Sequence, residues 1–468
     1  MRIRRYLAKG LLISLAFSII PAVAISAQKV TPGSKCKVQK QKVVFLDRSY
    51  TCIKSGKKLF WNNGEVIVKP TPARTAMPTP APTATLAPAP DPVVSESLVY
   101  ANSSICKLPY TSQDSDSYLG FPRKQRYISS IGERKSIVLF VDFDDLVADR
   151  KAVDTWRNVQ IPVAEKAFYG LSYGKYKISF DVNEKIYRLP GSYKAFTRNE
   201  YVNIAGSTPG LGLEYSKFVQ SAVTIADDDV NFSKYDFVNV VTPTFSPKAE
   251  GGATGGSGFN VDGKTSFLTT VGPIDEYVDD PLKNNWLLHE VGHLLGLTHI
   301  YDYSLKNIGA WDLMGNIFGL DQLHGWQRWY LDWIEDSQVA CLDESAPKET
   351  VHLISPLTSS TKGTKSVILK LSPSSALSIE VMRSSPENTI PSAYEGVVVY
   401  KIDTKLPSGK GSISIVSNPD ESQPTKGGRS GLIGTLSSGE SVKYEGYIIK
   451  VLKSATTGDY VSVSKANG

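Results

Sequence analysis

The hydrophobic pattern changes character several times along the chain, and each change predicts a different kind of element. Gly10 to Ile20 is an almost unbroken apolar run. It follows Arg2, Arg4, Arg5 and Lys9 and leads into small residues at Ala22-Val23-Ala24 and near Ala27. A basic start, a short apolar centre and a small-residue cleavage site predict a secretory signal over 1–27. An uncleaved anchor fits less well, because a membrane span needs about 20 apolar residues. Residues 28–69 carry short apolar stretches, Val43-Val44-Phe45-Leu46 and Leu59-Phe60-Trp61, broken by Gly33, Gly56 and Asn62-Asn63-Gly64. They predict a small β-rich module with a hairpin turn at Asn63-Gly64. Residues 70–96 form a linker in which Pro, Ala and Thr nearly alternate up to 92, a composition that stays extended.

Between 97 and 345 runs of strand and helix character alternate. Ser136 to Phe143, Ser172 to Val182, Asp236 to Val241 and Ser266 to Val271 read as strands, the last as an edge strand if the sheet follows a usual layout. Ala152 to Tyr169, interrupted near Pro162, Leu213 to Ala226, Leu282 to Leu295 and Asp321 to Trp333 read as helices. Gly251 to Gly258 reads as a glycine-rich loop. It is no phosphate cradle, since no Lys-Ser/Thr pair follows and no helix opens after it. The alternation predicts an α/β or α+β domain. From 346 to 468 the pattern becomes short period-two runs, such as Ser366 to Leu371 and Gly396 to Ile402, separated by Ser, Gly and Pro. That predicts a small all-β, sandwich-like domain.

Composition adds two points. The formal charge of +6 over 468 residues is unevenly spread. The signal holds four basic residues, and 28–69 hold ten Lys/Arg against two acidic residues. The remaining 70–468 are net acidic, so no nucleic-acid partner is expected. The basic module offers a weak contact with an anionic cell-wall surface, although a solvated basic face is the plainer account. Four cysteines in an exported chain predict two disulfides. Of the three connectivities, Cys36 with Cys52 and Cys106 with Cys341 respects the domain layout. A free Cys106 thiolate blocking a metal has only its upstream position in its favour.

The chemistry is concentrated in one string, His289-Glu290-Val291-Gly292-His293-Leu294-Leu295-Gly296-Leu297-Thr298-His299, which holds three of the chain's five histidines. Residues four apart share a helix face, so His289 and His293 can ligate one ion. Gly296 can take a left-handed conformation, end the helix and bring His299 back as a third ligand. Three protein ligands leave a fourth position open, as in catalytic rather than structural zinc sites. Zinc there acidifies a water and polarises a scissile carbonyl, with Glu290 as general base and then general acid. His324 and His352 each stand alone and read as surface or locally satisfied histidines. Asp227-Asp228-Asp229 with Asp236 does not match a calcium loop and reads as a solvated helix end. Tyr301 and Tyr303 lie near enough in sequence to steady an oxyanion.

The string from His289 to His299 resembles the metzincin zinc motif, and Met314 resembles the methionine turn beneath the metal in that clan. Ile137 to Asp144, Ser172-Tyr173-Gly174-Lys175-Tyr176, Gly309 to Gly315 and Gly396 to Asp403 resemble segments of immune inhibitor A-type metallopeptidases. The likeness covers about 130–405. Members of that group often carry Asp where this chain has His299; a His there fits the general metzincin pattern. The resemblance implies an α+β domain with a mixed sheet and an active-site helix, followed by a β domain. It implies a monomeric, secreted zinc endopeptidase with one catalytic Zn2+, acting on protein or peptide substrates. Met314 forms the floor of the site, and Asp302 is a candidate partner of a ligand or a calcium ligand. Residues 33–61 also resemble a two-cysteine module of exported actinobacterial proteins. The competing readings are a wall-associated binding protein with a peptidase-like domain, and a zinc amidase acting on cell-wall peptides.

Overall fold

The structure is a computed structural model that describes residues 34–45, 48–55, 58–62, 65–66, 90–95, 102–110, 119–198, 212–243, 253–256, 260–264, 268–273, 285–301, 308, 311–316, 320–385, 388, 390–416 and 434–466. The predicted signal 1–27, most of the predicted linker, Asp302 and Tyr303 lie outside these residues. The chain divides into two compact units, Met1–Pro88 and Ala89–Gly468.

In the first unit, strands β1 (Lys42–Phe45), β3 (Lys58–Trp61) and β4 (Glu65–Val66) all pair antiparallel with β2 (Arg48–Ser55). Tyr50, Cys52 and Trp61 form its buried cluster. So small a core needs a covalent staple, and Cys36–Cys52 supplies it. The expected turn at Asn63-Gly64 lies outside the described residues. β3 and β4 pair with successive parts of β2, Ser55 opposite Lys58 and Arg48 opposite Val66.

The second unit is built around a five-stranded sheet of order β10-β11-β9-β5-β6: β5 (Gly132–Phe143), β6 (Tyr176–Leu189), β9 (Phe237–Thr242), β10 (Ala253–Gly256) and β11 (Leu268–Pro273). A short pair, β7 (Thr197–Arg198) and β8 (Gly212–Leu213), stands apart. β6, β5, β9 and β11 are parallel and β10 is antiparallel. Parallel neighbours need crossovers. The first is helix α1 (Arg150–Thr155), a π turn (Trp156–Gln160) and α2 (Ile161–Leu171), with Pro162 inside the first turn of α2; the second contains α3 (Tyr215–Ala226). Ser136 to Phe143 reads as a continuous apolar run because both faces are covered. Val138 and Phe140 face the core under α2 and α4 (Asn285–Leu294), while Ile137, Leu139 and Val141 face α3. One expectation is corrected: β11 is interior, and the edge strand comes from the glycine-rich stretch. Ala253–Gly256 holds two glycines in four residues, which leaves no hydrophobic alternation to read.

The C-terminal part is a sandwich. A six-stranded sheet has the order β12-β14-β15-β16-β17, with β18 also pairing β16: β12 (Val339–Leu342), β14 (Ser366–Lys370), β15 (Ser375–Met382), β16 (Gly396–Asp403), β17 (Ile413–Ile415) and β18 (Thr435–Leu436). It faces a four-stranded antiparallel sheet of β13 (Glu349–Ile354), β19 (Ser441–Tyr444), β20 (Tyr447–Ala455) and β21 (Gly458–Lys465). Alternate residues of the six-stranded sheet go to different cores. Leu377, Ile379, Val397 and Val399 pack between the two sheets, whereas Ala376, Met382, Val398 and Tyr400 join the core that holds α4 and α5 (Gly325–Tyr330). The sandwich and the helices therefore share a core within one compact unit. Residues 102–110 and 119–131 belong to it as well. Cys106 is bonded to Cys341 on β12, the Trp326 indole donates to Leu119 O, and the Trp333 indole donates to Ser130 O. The architecture is mixed α and β, compatible with an α+β fold.

Candidate metal centre

Trp286, Leu287, Leu288, Val291 and Leu294 give α4 its buried faces. The positions left over, His289 and His293, point together. The helix ends where the pattern requires: Gly296 has φ +96°, and Leu297 N–H donates to Gly292 O at 3.0 Å. This left-handed turn brings Leu297 O within 2.8 Å of His293 Nδ1. Tyr127 lies over Gly296, where a Cβ would come 2.6 Å from its ring. The last carbonyls of α4 are satisfied by the preceding segment, with Ile128 N–H donating to Leu294 O and Arg123 to Leu295 O.

His299 follows in extended chain and is held by the loop after β16. Its N–H donates to Ser408 Oγ at 3.1 Å, and its carbonyl accepts from Gly409 N–H at 3.0 Å. The Tyr301 ring lies 4.9 Å from the His299 ring. The three Nε2 atoms form a triangle with edges of 3.1 Å (His289–His293), 3.0 Å (His293–His299) and 3.1 Å (His289–His299).

The donor chemistry fits a cation. His289 Nδ1 contacts Leu313 O at 2.8 Å, and His293 Nδ1 contacts Leu297 O at 2.8 Å. A carbonyl only accepts, so both Nδ1 atoms carry the proton and both Nε2 atoms present lone pairs to the shared point. Facing lone pairs at such a distance repel unless a positive ion lies among them. A tetrahedral zinc with bonds of about 2.0–2.1 Å sets its nitrogens roughly 3.3–3.4 Å apart, within a few tenths of an ångström of these edges. Burial first, and the neighbouring imidazoles second, push His289 well below the ordinary imidazole range. Burial lowers His293 too, and burial with the His293 neighbour brings His299 down to about 3. All three are neutral imidazoles at physiological pH, the form in which they could bind a metal. Among the described residues, this trio is the group of His, Cys, Asp or Glu side chains placed to hold a metal.

Glu290 is 7% exposed, next to His289 on the same helix. Met314 is fully buried under α4, its sulfur 2.7 Å from where a Cβ on Gly292 would stand. Asp229 is paired with Lys185, and Asp236 accepts from Lys135 N–H, so these two carboxylates serve protein donors.

Several residues of this region are not apparent from sequence. Asp312, wholly buried, accepts from Met314 N–H at 2.7 Å, His324 N–H at 2.8 Å and Gln327 Nε2 at 3.1 Å. His324 is not a surface residue: its Nδ1 lies 2.8 Å from Glu380 on β15, and both side chains are buried. Arg328, also buried, donates to Leu171 O, Leu323 O and Leu357 O. The only local signal is an Asp between two apolar residues, Trp311 and Leu313. Glu380 is 56 residues from His324, beyond any short-range pattern.

No protein-family model matches the chain, and no curated protein matches it. Among solved structures, the chain is similar to metalloproteinase-II from Bacteroides fragilis, with 13% identity and a TM-score of 0.27 over 50% of this chain and 61% of that one. A likeness of that extent decides neither fold nor activity, which are read from the residues themselves.

Proposed function

We propose that the chain is an exported zinc-dependent endopeptidase. The observation that supports this most is the convergence of three imidazole Nε2 atoms, 3.0–3.1 Å apart, on a helix that also carries Glu290. His289, His293 and His299 would hold the ion, a set of three protein ligands as in catalytic zinc sites. When bound, zinc supplies Lewis-acid polarisation of the scissile carbonyl and lowers the pKa of the attacking water. Glu290 accepts the proton that water loses as its oxygen bonds to the carbonyl carbon. The same carboxyl returns that proton to the amine nitrogen as the C–N bond breaks. Gly296 ends α4 and turns the chain towards His299, and Met314 packs against α4 at Gly292. Asp302 is assigned as a partner of a ligand or a calcium ligand.

Two features support export: the signal-like segment 1–27, and two disulfides of the kind that persist in oxidising compartments. Protein or peptide substrates, a monomeric state and an accessory contact of the basic residues 28–69 with anionic wall polymer complete the proposal. The test is cleavage of casein and a peptide library by wild type and Glu290→Ala, with zinc content measured on both. Cleavage by the wild type, lost in a variant that keeps its zinc, supports the reading. A zinc-loaded wild type that cleaves no peptide contradicts it and favours a binding role.

A further inference from the structure

His289 and Asp312 meet opposite ends of one peptide group. Asp312 Oδ1 accepts from Met314 N–H at 2.7 Å, and the carbonyl of that same peptide unit, Leu313 O, accepts from His289 Nδ1 at 2.8 Å. A peptide unit is planar and trans, so its N–H and C=O point in opposite directions and move as one body. Fixing the N–H end therefore aims the carbonyl. A negative charge at the N–H end also polarises the unit and makes its oxygen a better acceptor, since hydrogen bonds in series reinforce one another. Asp312 is the group able to do both. It is 0% exposed; burial pushes its carboxyl above the usual range, and the three N–H donors that its two oxygens accept from oppose that shift by favouring the carboxylate.

The other two donors tie the carboxylate to the start of α5. His324 N–H reaches Oδ2 at 2.8 Å, and Gln327 Nε2 reaches Oδ1 at 3.1 Å. Glu380 holds that same helix start, accepting from Gly325 N–H at 2.7 Å and from the Tyr400 hydroxyl at 3.0 Å. The turn carrying Leu313 is thus anchored to the six-stranded sheet.

We propose that Asp312 is a positioning residue for His289, acting through the Leu313–Met314 peptide to fix the imidazole's orientation and Nδ1–H tautomer and to raise the basicity of Nε2. This is a carboxylate–histidine pairing with one peptide group inserted. It rests on the metal-centre assignment above.

The experiment is Zn2+ affinity of the full chain by chelator competition, with the visible spectrum of the Co2+ form as a second readout. Groups that orient metal-bound histidines typically contribute about 10–100-fold in affinity, and a loss of that size is expected for Asp312→Asn. The Co2+ band should shift, with the far-UV circular dichroism unchanged. Wild-type affinity and spectrum in a folded Asp312→Asn overturn the proposal. If that variant does not fold, Gln327→Leu decides: it removes one anchor of the carboxylate, so weaker Zn2+ binding supports the proposal and wild-type binding overturns it. A wild-type chain that binds no Zn2+ overturns the metal centre itself and the proposal with it. A wild type that binds Zn2+ alongside an equally competent Asp312→Asn overturns the proposal alone.

Discussion

Gly292 lies directly over the sulfur of Met314: a Cβ added there would stand 2.7 Å from Sδ. The pair explains a helix-interior glycine, which costs about 1 kcal/mol against alanine in an open helix. Here the added methyl meets a buried side chain. Overpacking of this kind typically costs about 1–3 kcal/mol, so Gly292→Ala should be destabilising in spite of its better helix propensity. Because Gly292 immediately precedes His293 on α4, zinc affinity should fall as well. Adding Met314→Ala should relieve the clash, making the double variant more stable than the sum of the single effects predicts. Denaturant midpoints for the three proteins check this; strict additivity contradicts it.

Cys106 and Cys341 are separated by 235 residues, and their bond ties the segment ahead of β5 to β12. Closing so long a loop restricts the unfolded chain, and native disulfides of this kind contribute about 2–5 kcal/mol. Replacing both cysteines with alanine should lower unfolding free energy by that amount. Leu108 and Leu119 remain buried in the same core, so the variant should still fold. A change below about 0.5 kcal/mol on the denaturant scale speaks against a structural role for residues 102–110 and 119–131.

Burial lowers His352 to about 4. An unfolded histidine titrates near 6.5, so between these values the unfolded chain binds more protons than the native one. The stability is fully present above pH 6.5 and is lost as the pH falls towards 4. At pH 5 the loss from this group is about 2 kcal/mol. His352→Gln should shrink the difference in unfolding free energy between pH 7.5 and pH 5.0 by that amount, measured in urea with zinc held constant. An unchanged difference contradicts the assignment.

The site was legible where its parts are close in sequence. His289, Glu290, His293, Gly296 and His299 span eleven residues, and a helix, a left-handed turn and an extended return are enough to gather them. Continuous apolar runs such as Ser136–Phe143 marked strands that are covered on both faces. The rest depends on distant contacts or on segments without a hydrophobic period. Glu380 meets His324 through the packing of a sheet on a helix, a relation without local period. Ala253–Gly256 pairs with β11 although two of its four residues are glycine. Asp321 to Trp333, expected as one helix, narrows to Gly325–Tyr330: His324 is its N-cap, and Asp332, at φ +60°, has left the helical conformation.

The central claim is that His289, His293 and His299 jointly hold one catalytic zinc ion. Zinc titration of the metal-stripped full chain, followed by isothermal calorimetry with metal content by mass spectrometry, tests it most directly. One equivalent should bind to the wild type, and none with comparable affinity to His293→Ala. A wild type that takes up no zinc, or a His293→Ala variant that binds it as tightly as the wild type, contradicts the claim.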